Sequence, residues 1–312
     1  MKEYFRGLLT NDIKEAKVVL LGVPYDLGCS CGGGASLAPT KMRELSAFLP
    51  PFTMDGKDVQ KCKIFDLGDL ESQDNYYQLL EKKAEEVFNY NLFPLFIGGD
   101  HSISISLEKA FKDYATKNNK IPVIIHIDAH PDICDFYNNS SYSHACPNMR
   151  AIDNGYLPEN ITLIGIRGYE EQEVIYLSKH PELKVYNASY LNEHGYEQVL
   201  KELVNKYQNN KYAIYLSYDI DANDPSFAPG TGTPEAFGLN SYELMKFVRN
   251  LFTYLPIWGM DLVEISPKLD NNDITSWLGL KTLLEIFEIL QNKEVRKWNI
   301  QWSIVMVQMN TN

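Results

Sequence analysis

The sequence has no apolar run long enough to cross a membrane, and its first such run, at 18–23, is also too short for the core of a signal peptide. It is poor in positive charge, with 29 Lys and Arg against 41 Asp and Glu and a formal net charge of -12. Phosphate-backbone binders need clustered cations to displace counterions, so neither nucleic acid nor an anionic membrane is an expected partner. Its five cysteines, Cys29, Cys31, Cys62, Cys134 and Cys146, are an odd number without metal-finger spacing. A disulfide scaffold is not expected in 312 residues, and a reducing, cytoplasmic setting fits better. Linkers rich in Pro, Gly and Ser, internal repeats and low-complexity tracts are all missing, so one domain spanning 1–312 is expected.

What the chain does have is a repeated alternation of short β-branched runs with longer helical patterns. Strands are predicted over 18–22, 64–68, 95–97, 123–128, 162–166, 184–186, 213–218 and 257–263. Helices are predicted over 40–48, 76–90, 103–116, 170–178, 196–207, 241–253 and 276–290. This βα rhythm implies an α/β fold around a parallel sheet, in which ligands bind beyond the carboxyl ends of the strands.

Three predicted strand ends carry Asp and His that packing does not require. Gly98-Gly99-Asp100-His101-Ser102 lets the backbone turn sharply and sets His101 near a helix start, although a capping Asp100 beside an ordinary His would look much the same. In 126–132, His126, Asp128, His130 and Asp132 would share one face of an extended segment. Burying unpaired carboxylates costs several kcal/mol or more each, and no Lys or Arg lies between Lys120 and Met149 to offset that. A bound cation is the natural compensation. Ser217-Tyr218-Asp219-Ile220-Asp221 adds two carboxylates, followed by a Pro-, Gly- and Thr-rich segment at 222–234 that is expected to order itself over a site. Oxygen and imidazole donors of this kind suit Mn²⁺ better than a thiolate-seeking metal.

The stretches GGDHS (98–102), DAHPD (128–132) and SYDIDANDPSFAPGTGTPE (217–235) resemble the three motifs of the ureohydrolases, the arginase and agmatinase family, in order and separation. The resemblance runs from about residue 22 to 267. It implies a single three-layer αβα domain with a central, mainly parallel sheet, two Mn²⁺ per chain, and a trimeric or hexameric homo-oligomer. By position, His101, Asp128, Asp132 and Asp219 would hold one metal, and His130, Asp128, Asp219 and Asp221 the other. His126 would lie outside that set, as a hydrogen-bonding neighbour. Cations ~3.5–4 Å apart can share a water and lower its pKa. The resemblance also gives Glu264 the role of gripping a guanidinium, Asp132 that of passing a proton to the departing amine, and His144 that of shuttling protons or orienting substrate.

A small cationic guanidino substrate, cleaved to urea and an amine, is therefore expected. Arginases place an Asn where this chain has Cys134, with Asp135 next, an acid that would repel an α-carboxylate and welcome an ammonium if it faced the pocket. With Gly165-Ile166-Arg167-Gly168 and the run 143–150, this favours an agmatinase making putrescine for polyamine biosynthesis. Guanidinobutyrase, formimidoylglutamase, arginase and a catalytically silent metal-binding relative remain alternatives. Ala145 and Cys146, and the 34–39 segment, depart from the agmatinase pattern beside the substrate but away from the metals.

Overall fold

A computed structural model describes residues 4–71 and 73–293. The predicted strands are all present, as β1 (Ala16–Gly22), β2 (Lys63–Asp69), β3 (Phe93–Ile97), β4 (Ile121–Ile127), β5 (Ile161–Ile166), β6 (Lys184–Asn187), β7 (Tyr212–Asp219) and β8 (Ile257–Val263). They form one sheet in the order β2-β1-β3-β8-β7-β4-β5-β6, and every pairing is parallel. Continuous apolar runs are what such strands need, because both faces are covered. On β1, Val18 and Leu20 enter one core while Val19 and Leu21 enter the other.

Helices α1 (Ala38–Ser46), α7 (Glu197–Tyr207), α8 (Ser241–Tyr254) and α9 (Ile274–Leu290) cover one face through Met42, Leu203, Phe247 and Phe287. Helices α2 (Tyr76–Phe88) and α3 (Ser104–Lys117) cover the other through Leu80, Phe88, Leu107 and Phe111. The expected layered α/β arrangement is thus present. Helix α5 (Glu171–Lys179) follows β5, and two short helices escaped the sequence reading: α4 (Pro147–Asp153) and α6 (Ala188–His194). Each spans two turns, too short for a periodic apolar face to declare itself. Their starts are nonetheless encoded, by Pro147 in the first turn of α4 and by the Asn187 side chain accepting from Tyr190 N ahead of α6. Among the described residues no helix is long and apolar enough to cross a membrane.

One glycine fixes where the loops meet. Gly99 lies against the backbone of Tyr25, and a Cβ there would fall on the Tyr25 carbonyl. That carbonyl accepts from Asp100 N at 2.8 Å, while the Gly99 carbonyl accepts from Glu264 N at 2.9 Å. The loops after β1, β3 and β8 are pinned together there. Gly99→Ala is expected to destabilise the fold by at least about 1–3 kcal/mol, because backbone must move to admit the methyl group. Urea denaturation reads this as a lower midpoint, and an unchanged midpoint would contradict it.

Candidate metal centre

The middle strands β3, β8, β7 and β4 are neighbours and end side by side. β3 leads into His101, β4 into Asp128, His130 and Asp132, β7 into Asp219 and Asp221, and β8 into Glu264. Only His144 comes from elsewhere, from the loop ahead of α4. All these side chains are buried except His130, which is partly exposed.

Their polar atoms converge. His101 Nδ1 lies 2.9 Å from Asp128 Oδ2, 3.0 Å from Asp132 Oδ2 and 3.1 Å from Asp219 Oδ2. A ring nitrogen has at most one hydrogen and cannot satisfy three carboxylates. His130 Nδ1 stands 3.2 Å from Asp221 Oδ2 and 3.4 Å from Asp128 Oδ1. Ligand-type atoms of His101, His126, Asp128 and Asp132 form one cluster, those of Asp128, His130 and Asp221 a second, and Asp128 belongs to both. Asp128 Oδ2 and Asp221 Oδ2 are buried and face imidazole nitrogens that also serve other acceptors, an arrangement that is costly unless a cation meets them. Hard oxygen and imidazole donors around a shared carboxylate fit a pair of divalent cations.

The route to this convergence differs from simple strand alternation. β4 stops at Ile127, so 128–132 is not an extended segment with one acidic face. The chain turns instead, and Asp132 takes a left-handed φ of 50° that swings its carboxylate back beside Asp128. Glu264 has the same kind of backbone, with φ 62°. Its Oε1 accepts from His101 N at 2.8 Å and lies 3.7 Å from His144 Nδ1. Asp219 contacts the first cluster through Oδ2 and caps the following turn through Oδ1, which accepts from Asp221 N at 2.7 Å. His126 Nε2 sits 3.1 Å from Asp128 Oδ2 and 3.2 Å from the His130 carbonyl, where it can steady the shared carboxylate.

Charge is finely poised here. Burial lowers the His101 and His130 pKa values, but contacts with Asp128, Asp132 and Asp219 for the first, and Asp221 and Asp128 for the second, outweigh it and hold both above the usual histidine range. Burial and then the charges of Asp221 and Asp128 push Asp219 up, while burial and Asp128 raise Asp132. Burial, with Asp100 behind it, likewise raises Glu264. Each of these carboxyls would be relieved by an incoming cation.

Above the cluster lies a cavity of about 360 Å³, lined by His130, Asp132, His144, Tyr137, Tyr169, Glu170, Glu173, Glu235 and neighbouring loop residues, with no Lys or Arg among them. His144 is held in its wall by His144 N donating to the Gly28 carbonyl at 3.0 Å and by Nε2 3.0 Å from Ser30 Oγ. The segment beyond 222 does close over the site, since Gly232, Thr233, Pro234 and Glu235 line the cavity. Arg167 secures it, donating to the carbonyls of Asp221 at 2.7 Å and Glu235 at 2.8 Å.

One expectation is corrected. Asp135 does not face the cavity; it is exposed and ion-paired with Arg150 at 2.6 Å. Cys134 is buried and turned toward Glu173. The cavity acids Glu170, Glu173 and Glu235 were missed because they read as a helix start and a loop. Glu170 and Glu173 do form the capping box of α5, the available sequence signal, yet both also line the cavity.

The arginase family model matches residues 16–288. An agmatinase of Neisseria gonorrhoeae is 35% identical over 280 residues, covering 86% of this chain and 85% of that protein. A guanidinobutyrase of Pseudomonas aeruginosa is 31% identical over 281 residues, with 86% and 85% covered. The crystal structure of the agmatine ureohydrolase of Thermoplasma volcanium superimposes with a TM-score of 0.81 at 29% identity, over 96% of this chain and 97% of that one.

Raised histidine pKa values give the centre a pH dependence of definite sign. The carboxylates around His101 and His130 favour the protonated rings, and a divalent cation taking either ring nitrogen competes with a proton there, so acidification weakens metal binding. With one or two protons released, Mn²⁺ affinity is expected to fall about 10- to 100-fold per pH unit on acidification. Calorimetric titration at two pH values measures this; equal affinities would contradict the linkage.

Proposed function

Since the chain belongs to the arginase family, we propose that it is a ureohydrolase that cleaves agmatine to putrescine and urea with two divalent cations, Mn²⁺ by the hardness of its donors. His101, Asp128, Asp132 and Asp219 would hold one cation and His130, Asp128, Asp219 and Asp221 the other. The observation that carries the substrate choice is the cavity: it opens from the cluster and is lined by three glutamates and no Lys or Arg. A substrate that is positive at both ends suits it, whereas the carboxylate of arginine or guanidinobutyrate would meet like charge.

Bound in the cluster, the cations supply positive charge that lowers the pKa of water toward neutrality. The chain's own residues do the rest. Glu264, buried and fixed by His101 N, accepts paired, charge-assisted hydrogen bonds from the guanidinium. A guanidinium is a poor electrophile, so that grip matters for orientation as much as for affinity. Asp132 faces the cavity and takes a proton from the attacking water, then returns it to the departing amine. His144, on the same wall, orients the leaving group or relays the proton outward. Glu170, Glu173 and Glu235 receive the tail ammonium in place of the Asp135 suggested by sequence. Burial pushes Glu173 up to about 7, and its oxygens already accept from Ile133 N at 3.0 Å and Glu170 N at 2.9 Å. Glu170 is committed to the same capping box, which leaves Glu235 as the freest partner. A cytoplasmic location and a trimeric or hexameric assembly complete the proposal; sedimentation tests the latter.

Urea release by dialysed, Mn²⁺-reloaded protein, offered agmatine, arginine, guanidinobutyrate and formiminoglutamate separately, tests the reading. Agmatine is expected to exceed arginine in kcat/KM by about ten to a hundred and fifty fold, equivalent to the about 1–3 kcal/mol cost of an unpaired carboxylate. A preference for arginine overturns the agmatinase reading, and no urea from any substrate points to a silent relative. Asp132→Asn is expected to lower kcat by about 10² to 10⁴ while losing much less metal. A fully loaded Asp132→Asn protein with normal turnover removes Asp132 from the proton path.

A further inference from the structure

Sheet register sets three polar residues in one row. Ser217 on β7 pairs with Asp261 on β8 at one side and with His126 on β4 at the other. Residues level with one another on neighbouring parallel strands share a face. His101 lies over this row, its ring stacked on His126 with centroids 4.8 Å apart and its Nε2 2.8 Å from Ser217 Oγ.

Hydrogen-bond direction along the row is determined by its far end. Asp261 is fully buried, and its Oδ1 accepts from Ser217 Oγ at 2.9 Å and Tyr218 N at 3.3 Å. Its Oδ2 accepts from Ser104 Oγ at 2.8 Å and Tyr215 OH at 3.0 Å. Four donors converging on one carboxyl leave it the role of acceptor, which commits the single hydroxyl hydrogen of Ser217 to Asp261. Ser217 then has only a lone pair to offer His101, so Nε2 must carry a hydrogen. The other nitrogen, Nδ1, is the one that faces Asp128, Asp132 and Asp219.

We propose that Ser217 and Asp261 are positioning residues: together they hold His101 with hydrogen on Nε2 and the Nδ1 lone pair turned to the first cation site, and so set the affinity of that site. The inference rests on the metal-centre reading given above. A histidine ligand whose second nitrogen is tied to a fixed acceptor is pre-oriented, and removal of such a partner typically weakens metal affinity about 10- to 100-fold. The histidine of the second cluster, His130, has its ring nitrogens on Asp128, Asp221 and Glu235 and none on Ser217 or Asp261, so its orientation does not depend on them. The affinity of that second site should therefore be spared.

Mn²⁺ titration of the full chain, with the free ion followed by electron paramagnetic resonance, separates the two sites. The wild type is expected to bind two ions. Ser217→Ala should weaken one site about 10- to 100-fold and leave the other within about two-fold. Asp261→Asn should do the same with no change of volume, because its amide can donate to Ser217, free the hydroxyl to donate to Nε2, and move the histidine hydrogen onto Nδ1. Ser217→Thr keeps the hydroxyl and should restore much of the loss. If Ser217→Ala fails to fold, the isosteric Asp261→Asn protein decides the matter. Unchanged binding constants in the alanine and asparagine variants overturn the inference, as does an equal loss at both sites, which would mark general damage. A wild-type protein that binds no Mn²⁺ would instead sink the metal reading itself.

Discussion

Like charge held out of water is the constraint around which this molecule is arranged. Asp128, Asp132, Asp219, Asp221 and Glu264 are all buried within one cluster, where only imidazoles stand against them. The imidazoles cannot satisfy them all, since His101 Nδ1 faces three carboxylates and His130 Nδ1 two. The fold tolerates this because the crowding sits at the ends of strands that have a paired neighbour on each side. The sheet carries the stability and its rim carries the repulsion. Two of the carboxylates are also reached through left-handed backbone, at Asp132 and Glu264, which costs of order 1–3 kcal/mol each. Strain of that kind persists only where the surroundings over-determine it, and Glu264 is indeed tied through its own N to Gly99 and through its side chain to His101.

Those strand ends were legible in the sequence for the same reason. Acids and histidines abutting an apolar run have no packing explanation, so 98–102, 128–132 and 217–221 could be singled out before any coordinates. The strands were legible because buried parallel strands are apolar, often β-branched runs, a pattern that the partly buried edge strands β2 and β6 show only in part, with ends misjudged by only a few residues. The cavity was not legible. Glu170 and Glu173 serve as a helix cap, an occupation that conceals a second one, and Glu235 sits in a loop whose course is set by Arg167 reaching across to its carbonyl. Asp135 could serve the tail only if it faced the pocket, and it does not: one residue beyond the buried Cys134, the chain has already turned outward to Arg150.

Loop order follows one economy throughout. Single side chains gather several backbone groups: Arg167 collects carbonyls on one side of the cavity, while Asp26 accepts from Gly34 N at 2.9 Å and Ser36 Oγ at 2.8 Å, and Asp100 accepts from Gly28 N at 2.7 Å, on the other. His144 is thereby positioned by a loop from a distant part of the chain. Residues that line the cavity can vary on such a frame without disturbing the cluster beneath, and Ala145 is one that does.

The sheet order carries a consequence for how the protein comes into being. Among the described residues β8 is the last strand in chain order, yet it lies near the middle of the sheet, between β3 and β7. Until it inserts, β2-β1-β3 and β7-β4-β5-β6 are separate half-sheets, each with an open edge, and His101 stands on one while Asp128 and Asp219 stand on the other. A nascent chain on the ribosome therefore cannot assemble the cation cluster until residue 263 has emerged, even though His101 was made long before. Capture of metal is postponed to the closing event of folding, and the late strand acts as the keystone that admits it.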